Sequence, residues 1–188
     1  MRYAAKWPEY ARQWDAMRIK PPRQLEMRAY AAFAAAHRTE YAEVEQATGV
    51  PWWLVAVLHR RESNADFNSY LGNGEPLGRK TKLVPKGRGP FATFLDGAVD
   101  ALRIDGLSSV QDWRLEKALY YCELFNGAGY DMRGLPSPYI WGGTNIQRAG
   151  KYVADRKWSS TKWDVQPGCA PILWLIAEDQ GIVFTRET

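Results

Sequence analysis

The strongest hydrophobic pattern in the chain lies in the segment Pro51–Arg61. Leu54, Val57 and Leu58 recur there at the i, i+3 and i+4 positions of one helical face. Proline suits the first turn of a helix, so we predict a helix over this segment. The next segment, Asn64–Pro90, holds most of the nearby glycine and proline, and it predicts a long loop or a short hairpin.

Helical periodicity or strong helix formers recur in most of the remaining chain. Further helices are predicted at residues 23–38, 40–47, 93–107, 109–127, 146–155 and 169–180. Thr39 is expected to cap the second of these, and Gly49 and Gly181 are expected to end the second and the last. Residues 128–144 are predicted to form a loop. The pattern as a whole predicts a mainly α protein with a small β-hairpin or irregular region after the Pro51–Arg61 helix.

Length and composition favour one globular domain over residues 1–188. A net charge of +4 and a pI near 9.1 favour anionic partners. The excess charge is spread along the chain, with no run of five like charges, which argues against nucleic acid as the partner. Nine Trp and ten Tyr either fill the core or line a carbohydrate cleft, because flat rings stack on the apolar faces of sugars.

The two cysteines, Cys122 and Cys169, stand in apolar segments and are expected to be buried thiols rather than a disulfide. Two Cys and two scattered His do not indicate a metal site, and we expect no cofactor. No apolar run approaches the roughly 20 residues of a membrane span, so stable membrane insertion is not expected. The opening residues MRYAAKWPEY lack the apolar core of a signal peptide, so we expect synthesis in the cytoplasm.

A single acid, Glu62, stands where the most hydrophobic helix ends. The negative end of the helix dipole disfavours a charged carboxylate in the last turn, and partial burial would raise its pKa further. A carboxylic acid that stays protonated near neutral pH is what general acid catalysis requires. The alternative is an ordinary surface glutamate in a salt bridge. His59 precedes it on the same side of the helix and is expected to be a packed core histidine rather than a catalytic one.

A second acid, Glu75, follows in the glycine-rich segment, and Thr81 stands six positions later. Hydrolysis of a glycosidic bond with inversion uses one acid on the leaving oxygen and a second carboxylate that holds water, roughly 6.5–9.5 Å away. A helix-end acid facing an acid on a hairpin can provide that separation, with the Thr81 hydroxyl helping to hold the water. Asp66 and Asp96 are rival second acids. The alternatives are a solvated loop acid for Glu75 and an ordinary strand residue for Thr81.

The segment LFNGAGY, residues 124–130, ends a predicted helix with exposed backbone amides and one Asn amide. Asn126 and Gly127 can hydrogen-bond an N-acetyl group or a ring hydroxyl, and they also fit a helix C-cap. Four aromatic residues are candidate sugar-binding positions, with core packing as the alternative: Tyr130, Tyr139, Trp141 and Tyr152.

These motifs resemble the lysozyme-like superfamily, which includes goose-type lysozymes, soluble lytic transglycosylases and phage endolysins. The resemblance is carried by HRRES at the helix end, by LFNGAGY and by KYVAD, and it spans about residues 50–155. It implies an α+β lysozyme-like fold in which Glu62 is the catalytic acid and Ser63, beside it, binds the substrate. It also implies that the Phe125–Gly127 motif lines the glycan cleft, and that Tyr152 contacts the catalytic region from a later helix.

Phage-type lysozymes carry an acid and a threonine with five residues between them, an interval that Glu75 and Thr81 share. Here Glu replaces the usual Asp, and it lies farther along the chain from Glu62 than in those enzymes. A segment similar to the Gly-Leu-Met-Gln motif of transglycosylases is absent, which favours the lysozyme branch.

The resemblance implies peptidoglycan as the partner and an N-acetylmuramidase activity on the bond between N-acetylmuramic acid and N-acetylglucosamine. The alternatives are a lytic transglycosylase that leaves 1,6-anhydro ends, and a non-catalytic glycan-binding or phage structural module. No separate wall-binding domain is evident, and a monomer is expected. Its expected route is that of phage endolysins, from the host cytoplasm to the wall and periplasm after a holin opens the membrane.

Overall fold

The computed structural model describes residues 2–154 and 157–188. Over these residues the chain has eight α-helices and one two-stranded antiparallel sheet, which confirms the prediction of a mainly α protein with a small hairpin. The helices are α1 (Tyr3–Ala16), α2 (Gln24–Ala36), α3 (Arg38–Thr48), α4 (Trp52–Ser63), α5 (Phe94–Ile104), α6 (Leu115–Phe125), α7 (Pro138–Trp141) and α8 (Cys169–Gln180). The strands are β1 (Lys151–Ala154) and β2 (Lys157–Ser159).

The chain divides into two compact units. The central unit is the continuous segment Phe33–Trp113, which contains α3, α4 and α5. The terminal unit joins the segment that ends at Ala32 to the segment Arg114–Thr188, and it contains α1, α6, α7, α8 and the β-hairpin. The boundary between them falls inside α2. The candidate acids Glu62 and Glu75 therefore belong to the central unit.

Helix α4 is the buried centre of the central unit. Every residue from Trp52 to His59 is buried, because apolar side chains occupy all sides of this stretch rather than one face. Its first turn is fixed from α3, where the Glu45 carboxylate accepts a hydrogen bond from the Trp52 N–H at 3.0 Å. The helix becomes polar only in its last turn, which leaves Glu62 half-buried at the edge of the core.

Helices α3 and α5 pack against each other, and α3 also packs against α4. Gly49 ends α3 with a φ of +74°, as predicted. The predicted cap at Thr39 is wrong, because α3 begins at Arg38, two residues before the predicted start, and His37 holds the cap position. Helix α5 begins after Thr93, whose side chain forms a capping box with Asp96.

Helices α1 and α6 form the main helix pair of the terminal unit, and α7 packs against α6 and α8. The sequence pattern assigns no element to residues 1–20, yet α1 covers most of them and buries Tyr10. Helix α8 ends at Gly181 with a φ of +64°, as predicted. The C-terminal tail is tied to the first turn of α6, where the buried Glu116 carboxylate accepts hydrogen bonds from Arg186 and from the Glu187 N–H.

The helix predicted at residues 146–155 is wrong. Residues 151–154 form β1, which pairs antiparallel with β2 and places Tyr152 opposite Trp158. Gly150, directly before the strand, has a φ of +120°, which does not continue a helix. The Trp158 ring also lies against Gly150, where a Cβ would stand 2.4 Å from the indole. A pairing partner outside the predicted helix thus decides the structure of this segment.

Other boundaries also differ from the prediction. Residues 128–144, predicted as loop, contain a 3₁₀ turn at Asp131–Arg133 and the short helix α7. The helix predicted for residues 109–127 begins only at Leu115. The segment from residue 64 to residue 93, which is described throughout, has one isolated bridge between Ser69 and Pro76 and is otherwise irregular. The region after α4 thus takes the irregular form, and the hairpin lies in the terminal unit.

Both cysteines are buried and form no disulfide, as predicted. Among the helices that the structure describes, none combines the length and the apolar content needed to cross a membrane.

Candidate functional site

Glu62 lies half-buried in the last turn of α4, immediately before a strained turn. Asn64 and Ala65 both have left-handed backbone conformations, with φ of 54° and 62°. This conformation is common for Asn but costs Ala about 1–2 kcal/mol, because its Cβ meets the backbone. Ser63, expected beside the substrate, donates its hydroxyl back to the His59 carbonyl at 3.3 Å. Strain of this kind clusters at functional sites, so the turn marks the end of α4 as a candidate site.

His59 holds this turn from inside the core. Its Nε2 lies 3.1 Å from the Asp66 carbonyl oxygen, and its Nδ1 lies 3.0 Å from the Tyr41 hydroxyl. A carbonyl only accepts, so Nε2 carries the proton and Nδ1 accepts from Tyr41. Burial lowers the pKa of His59 to about 4, which keeps the ring neutral at physiological pH. The prediction of a packed core histidine is confirmed, and the contacts add a role in positioning the turn after Glu62.

The loop that follows α4 returns to the backbone of Glu62. Gly74 lies so close that a Cβ at this position would stand 2.6 Å from the Glu62 carbonyl oxygen and 3.7 Å from the Ser63 Cα. Its φ of +74° is a second reason why the position suits glycine. Glu75 is the next residue, so the fold brings the second candidate acid to the end of α4.

The Glu75 carboxylate is fixed by its own loop, and 8% of the residue is exposed. Its Oε2 accepts hydrogen bonds from the backbone N–H groups of Lys82 and Leu83, each at 2.8 Å, and from Asn73 Nδ2 at 3.3 Å. The Leu83 N–H, with that of Lys82, lowers the pKa of Glu75 below its ordinary value, so the group is charged. All three contacts use one oxygen. Within the described chain Oε1 has no hydrogen bond, which leaves it able to hold a water.

The contacts of Thr81 differ from the predicted role of holding a catalytic water. Its hydroxyl donates its single proton to the Pro85 carbonyl at 2.5 Å and accepts from the Arg88 N–H at 3.0 Å. Its backbone N–H and carbonyl bond to Arg88 and Gly87 in the same loop. Thr81 is therefore a buried brace of the loop beside Glu75, and its proton is not available to a catalytic water.

A polar and aromatic cluster ties this loop to α5. The Arg88 guanidinium pairs with the Asp100 carboxylate through two nitrogens, with Nε 3.0 Å from Oδ2. The Tyr70 hydroxyl donates to the same oxygen at 2.9 Å, and the Tyr70 ring stacks on Phe91 with centroids 5.1 Å apart. Tertiary contacts rather than regular secondary structure thus set the shape of the loop that carries Glu75.

The rival acids Asp66 and Asp96 are both used in local turns. Asp66 accepts hydrogen bonds from the backbone N–H and the side chain of Asn68, the main causes that lower its pKa. Asp96 closes the capping box with Thr93 at the start of α5. The Asp66 backbone also bonds to the end of α4, at the Ser63 carbonyl and at His59, but both of its carboxylate oxygens are taken by Asn68 and Ser69. Glu75 keeps one carboxylate oxygen without a hydrogen bond in the described chain, so it remains the better second candidate.

In the terminal unit, α6 ends in the predicted glycine cap. Asn126 holds the C-cap position, and Gly127 follows with a φ of +76°. Both residues are exposed, and the Asn126 side-chain amide makes no hydrogen bond within the described chain. The cap explains both residue types by local structure, and it also leaves an exposed amide with which a ligand hydroxyl or carbonyl can bond.

Three aromatic rings pack together near this cap. Tyr130, Tyr152 and Trp158 have ring centroids between 5.0 and 5.7 Å apart. The Arg133 guanidinium lies 4.3 Å from the Trp158 ring centroid, and its Nε donates to the Tyr152 hydroxyl at 3.0 Å. Tyr130 is buried, whereas Tyr152 and Trp158 are half-buried. Sequence reasoning missed Trp158 and Arg133. The pairing of β1 with β2 brings Trp158 to Tyr152, and Arg133 reaches the same ring from the 3₁₀ turn Asp131–Arg133.

Tyr152 lies on a strand, which corrects the helix that the family resemblance implied. The sugar-binding roles predicted for Tyr139 and Trp141 are wrong. These residues lie in α7 with 2% and 0% of their surface exposed, so they have no face open to a glycan. The core alternative holds for both. The KYVAD motif ends at Asp155, which lies outside the residues that the structure describes.

Within residues 2–154 and 157–188, no group of three or more His, Cys, Asp or Glu side chains is arranged to hold a metal ion. No protein-family model, no curated protein and no solved structure matches the chain. The resemblance to the lysozyme-like superfamily therefore rests on the quoted sequence motifs alone.

Proposed function

We propose that the protein is a peptidoglycan-degrading N-acetylmuramidase, which hydrolyses the β-1,4 bond between N-acetylmuramic acid and N-acetylglucosamine. The observation that carries the proposal is the junction at the end of α4. Glu62 lies there half-buried before a strained turn, and the Gly74–Glu75 turn packs against its backbone. Glycoside hydrolysis requires two carboxyl groups in unlike environments on either side of one bond.

In this mechanism Glu62 donates its proton to the leaving glycosidic oxygen. Glu75 accepts a proton from the attacking water, whose oxygen bonds to the anomeric carbon as the bond to the leaving sugar breaks. The lowered pKa of Glu75, its fixed Oε2 and its open Oε1 support this role, because a general base must be ionised and oriented before the reaction. Thr81 contributes only by bracing the loop.

The net charge of +4 supports association with an anionic cell wall. Release from the host cytoplasm to the wall through a holin-opened membrane belongs to the same proposal.

Glu62→Gln tests the catalytic acid. We expect the rate of peptidoglycan clearing to fall roughly 10²–10⁴-fold, the range that a general acid contributes. Glu43→Gln is the matched control, since Glu43 is an exposed acid on α3 of the same unit, and this variant is expected to keep the full rate. If Glu62→Gln clears the wall at the rate of the unmodified protein, the catalytic role of Glu62 is refuted. If the unmodified protein itself clears no wall, a non-catalytic glycan-binding module takes the place of the enzyme.

A lytic transglycosylase is the second candidate. It is favoured because the Thr81 hydroxyl donates its proton to the Pro85 carbonyl and is not available to a catalytic water. In that reaction Glu62 acts first as acid and then as base, and the 6-hydroxyl of muramic acid replaces water. Glu75→Gln distinguishes the two, because Gln can still accept the two backbone N–H bonds while it cannot act as a base. A loss of roughly 100-fold with reducing ends supports hydrolysis. Near-full activity with anhydro ends, lighter by one water in mass spectrometry, supports transglycosylation.

A further inference from the structure

A cavity of about 470 Å³ lies in the terminal unit, and none of the residues assigned to the proposed function lines it. Its walls include two tryptophans, Trp14 near the end of α1 and Trp174 on α8. Both tryptophans also line a second cavity of about 400 Å³ in the same unit. Trp174 is 39% exposed, so part of its ring surface is open to solvent. Cavities of this size with aromatic walls are typical of small-ligand sites.

Polar groups that the protein itself does not use line the same cavity. The side-chain amide of Gln24 makes no hydrogen bond within the described residues, and neither do the indole N–H groups of Trp14 and Trp174. Ile19 and Leu175 add apolar surface beside them. The cavity thus offers flat apolar rings, three kinds of donor or acceptor group and a small aliphatic wall.

Two of the three charged residues that line the cavity are in ion pairs, and the third, Arg18, bonds to backbone carbonyls. Asp15 binds Arg186 at 3.1 Å, and Arg28 binds Glu178 at 3.2 Å. Arg18 donates to the carbonyl oxygens of Asp15 and of its own preceding residue, at the end of α1. A phosphate or another small anion would compete with these contacts, whereas a neutral ligand with hydroxyl and amide groups would leave them intact.

We propose that this cavity binds a saccharide that contains N-acetylated hexosamine. An indole face stacks on the sugar ring, while Gln24 and the indole N–H groups bond to hydroxyls and to the acetamido carbonyl. Ile19 and Leu175 contact the acetamido methyl. The site goes beyond the proposed function, because neither Glu62 nor Glu75 takes part in it. The site rests on the proposed function in one respect only. On a protein that cleaves glycan, this site would retain the protein on its substrate.

The test uses Glu62→Gln protein labelled with ¹⁵N in its indole groups and titrated with tetra-N-acetylchitotetraose. Saturable NMR shifts are expected for the Trp14 and Trp174 indole signals. Trp174→Ala is expected to weaken the affinity read from Trp14 roughly tenfold, and Gln24→Ala roughly threefold. Trp174→Tyr keeps a flat ring and is expected to keep most of the affinity.

Trp163→Ala is the matched control, since Trp163 is 47% exposed and lines neither cavity, and it is expected to leave the affinity unchanged. Unshifted Trp14 and Trp174 signals up to about 10 mM probe overturn the proposal. Equal weakening in Trp163→Ala and Trp174→Ala overturns it as well. Cellotetraose, which lacks acetamido groups, is expected to bind more weakly, and equal binding refutes the N-acetyl preference.

The two proposals fail separately. If Glu62→Gln still clears the wall, the catalytic proposal falls while the indole titration keeps its meaning. If Glu62→Gln abolishes clearing but the two indole signals do not shift, only the cavity proposal falls.

Discussion

The central and terminal units each bury an ionisable side chain, and they satisfy it differently. His59 in the central unit is fully buried, with both ring nitrogens bonded and the rings of Phe67 and Phe94 at centroid distances of 4.9 and 4.3 Å. Glu123 in the terminal unit is 3% exposed. Its Oε2 accepts a hydrogen bond from Tyr10 at 2.9 Å, but its buried Oε1 has no hydrogen-bond partner among the described residues.

Burial favours the neutral form of both groups, and this moves their pKa values in opposite directions. It lowers the pKa of His59 to about 4 and raises that of Glu123 to about 6. At neutral pH His59 is therefore uncharged and fully bonded, whereas Glu123 is charged with one oxygen unsatisfied. The difference teaches that the buried histidine of the unit with the candidate acids is neutral and fully bonded, while the buried Glu123 of the other unit carries an electrostatic cost.

The largest expected effect concerns His59 in the central unit. The free energy of unfolding is expected to fall by about 3 kcal/mol as the pH drops from 6.5 to 4. The folded pKa lies below the ordinary value of 6.5, so the unfolded chain takes up the proton first. The stabilisation is complete above pH 6.5 and is lost as the pH falls toward 4. Urea unfolding across this range measures it. His59→Leu is expected to lose the slope, and His37→Leu is the control that keeps it.

A direct check on His59 does not depend on how its variants fold. The ring of the unmodified protein is expected to remain neutral down to about pH 5 in NMR titration. A ring that titrates near pH 6.5 would remove the contrast between the two units.

The next largest effect is the pH dependence of stability that Glu123 causes, and its sign is opposite to that of His59. Its folded pKa of about 6 lies above the ordinary 4.5, so the folded chain holds the proton longer. Stability is complete below pH 4.5, and about 2 kcal/mol is lost as the pH rises through 6. Glu123→Gln is expected to flatten this slope in urea unfolding at pH 4.5 and 7.5.

Glu116 is the matched comparison for Glu123, because it is a buried acid on the same helix, α6, with a full set of partners. Glu116→Gln is expected to lower stability at pH 7.5, since it breaks the pair with Arg186. Similar responses of Glu116→Gln and Glu123→Gln would show that the unpartnered Oε1 has no energetic consequence.

The smallest effect sharpens the picture of the strained turn after Glu62. Ala65→Gly is expected to raise stability by about 0.5–1 kcal/mol, because glycine adopts the φ of 62° without the Cβ clash. Thermal unfolding measures the change. Ala56→Gly, in the interior of α4, is the control and is expected to cost about 1 kcal/mol or more. A loss of stability in Ala65→Gly would mean that the turn stores no strain.

The sequence was a good guide wherever one local signal dominates. The apolar run of α4, the glycine stops at Gly49 and Gly181, and the irregular segment after Glu62 were all predicted correctly. The core character of His59 also followed from its position on an apolar helix. These features depend on neighbours within a few residues, which the chain itself displays.

The candidate site was harder to predict, because its residues are fixed by partners far along the chain. Thr81 looks like a water-binding residue by its interval from Glu75, yet the return of the loop to Pro85 and Arg88 takes up its hydroxyl. Trp141 looks like a sugar platform beside glycines, yet α7 turns it fully inward. Residue spacing shows which groups are present, and it does not show which hydrogen bonds they have already made.

The sequence by itself determined that this is a mainly helical protein with an acid at the end of its most apolar helix and a cationic, aromatic-rich composition. The tertiary structure alone decided that Gly74 brings Glu75 to that helix end, that β1 rather than a helix carries Tyr152, and that Trp14 and Trp174 share a cavity. The physical reason is the distance along the chain over which each interaction acts. Helix periodicity and caps are local, whereas burial and hydrogen-bond pairing join residues that the linear order keeps apart.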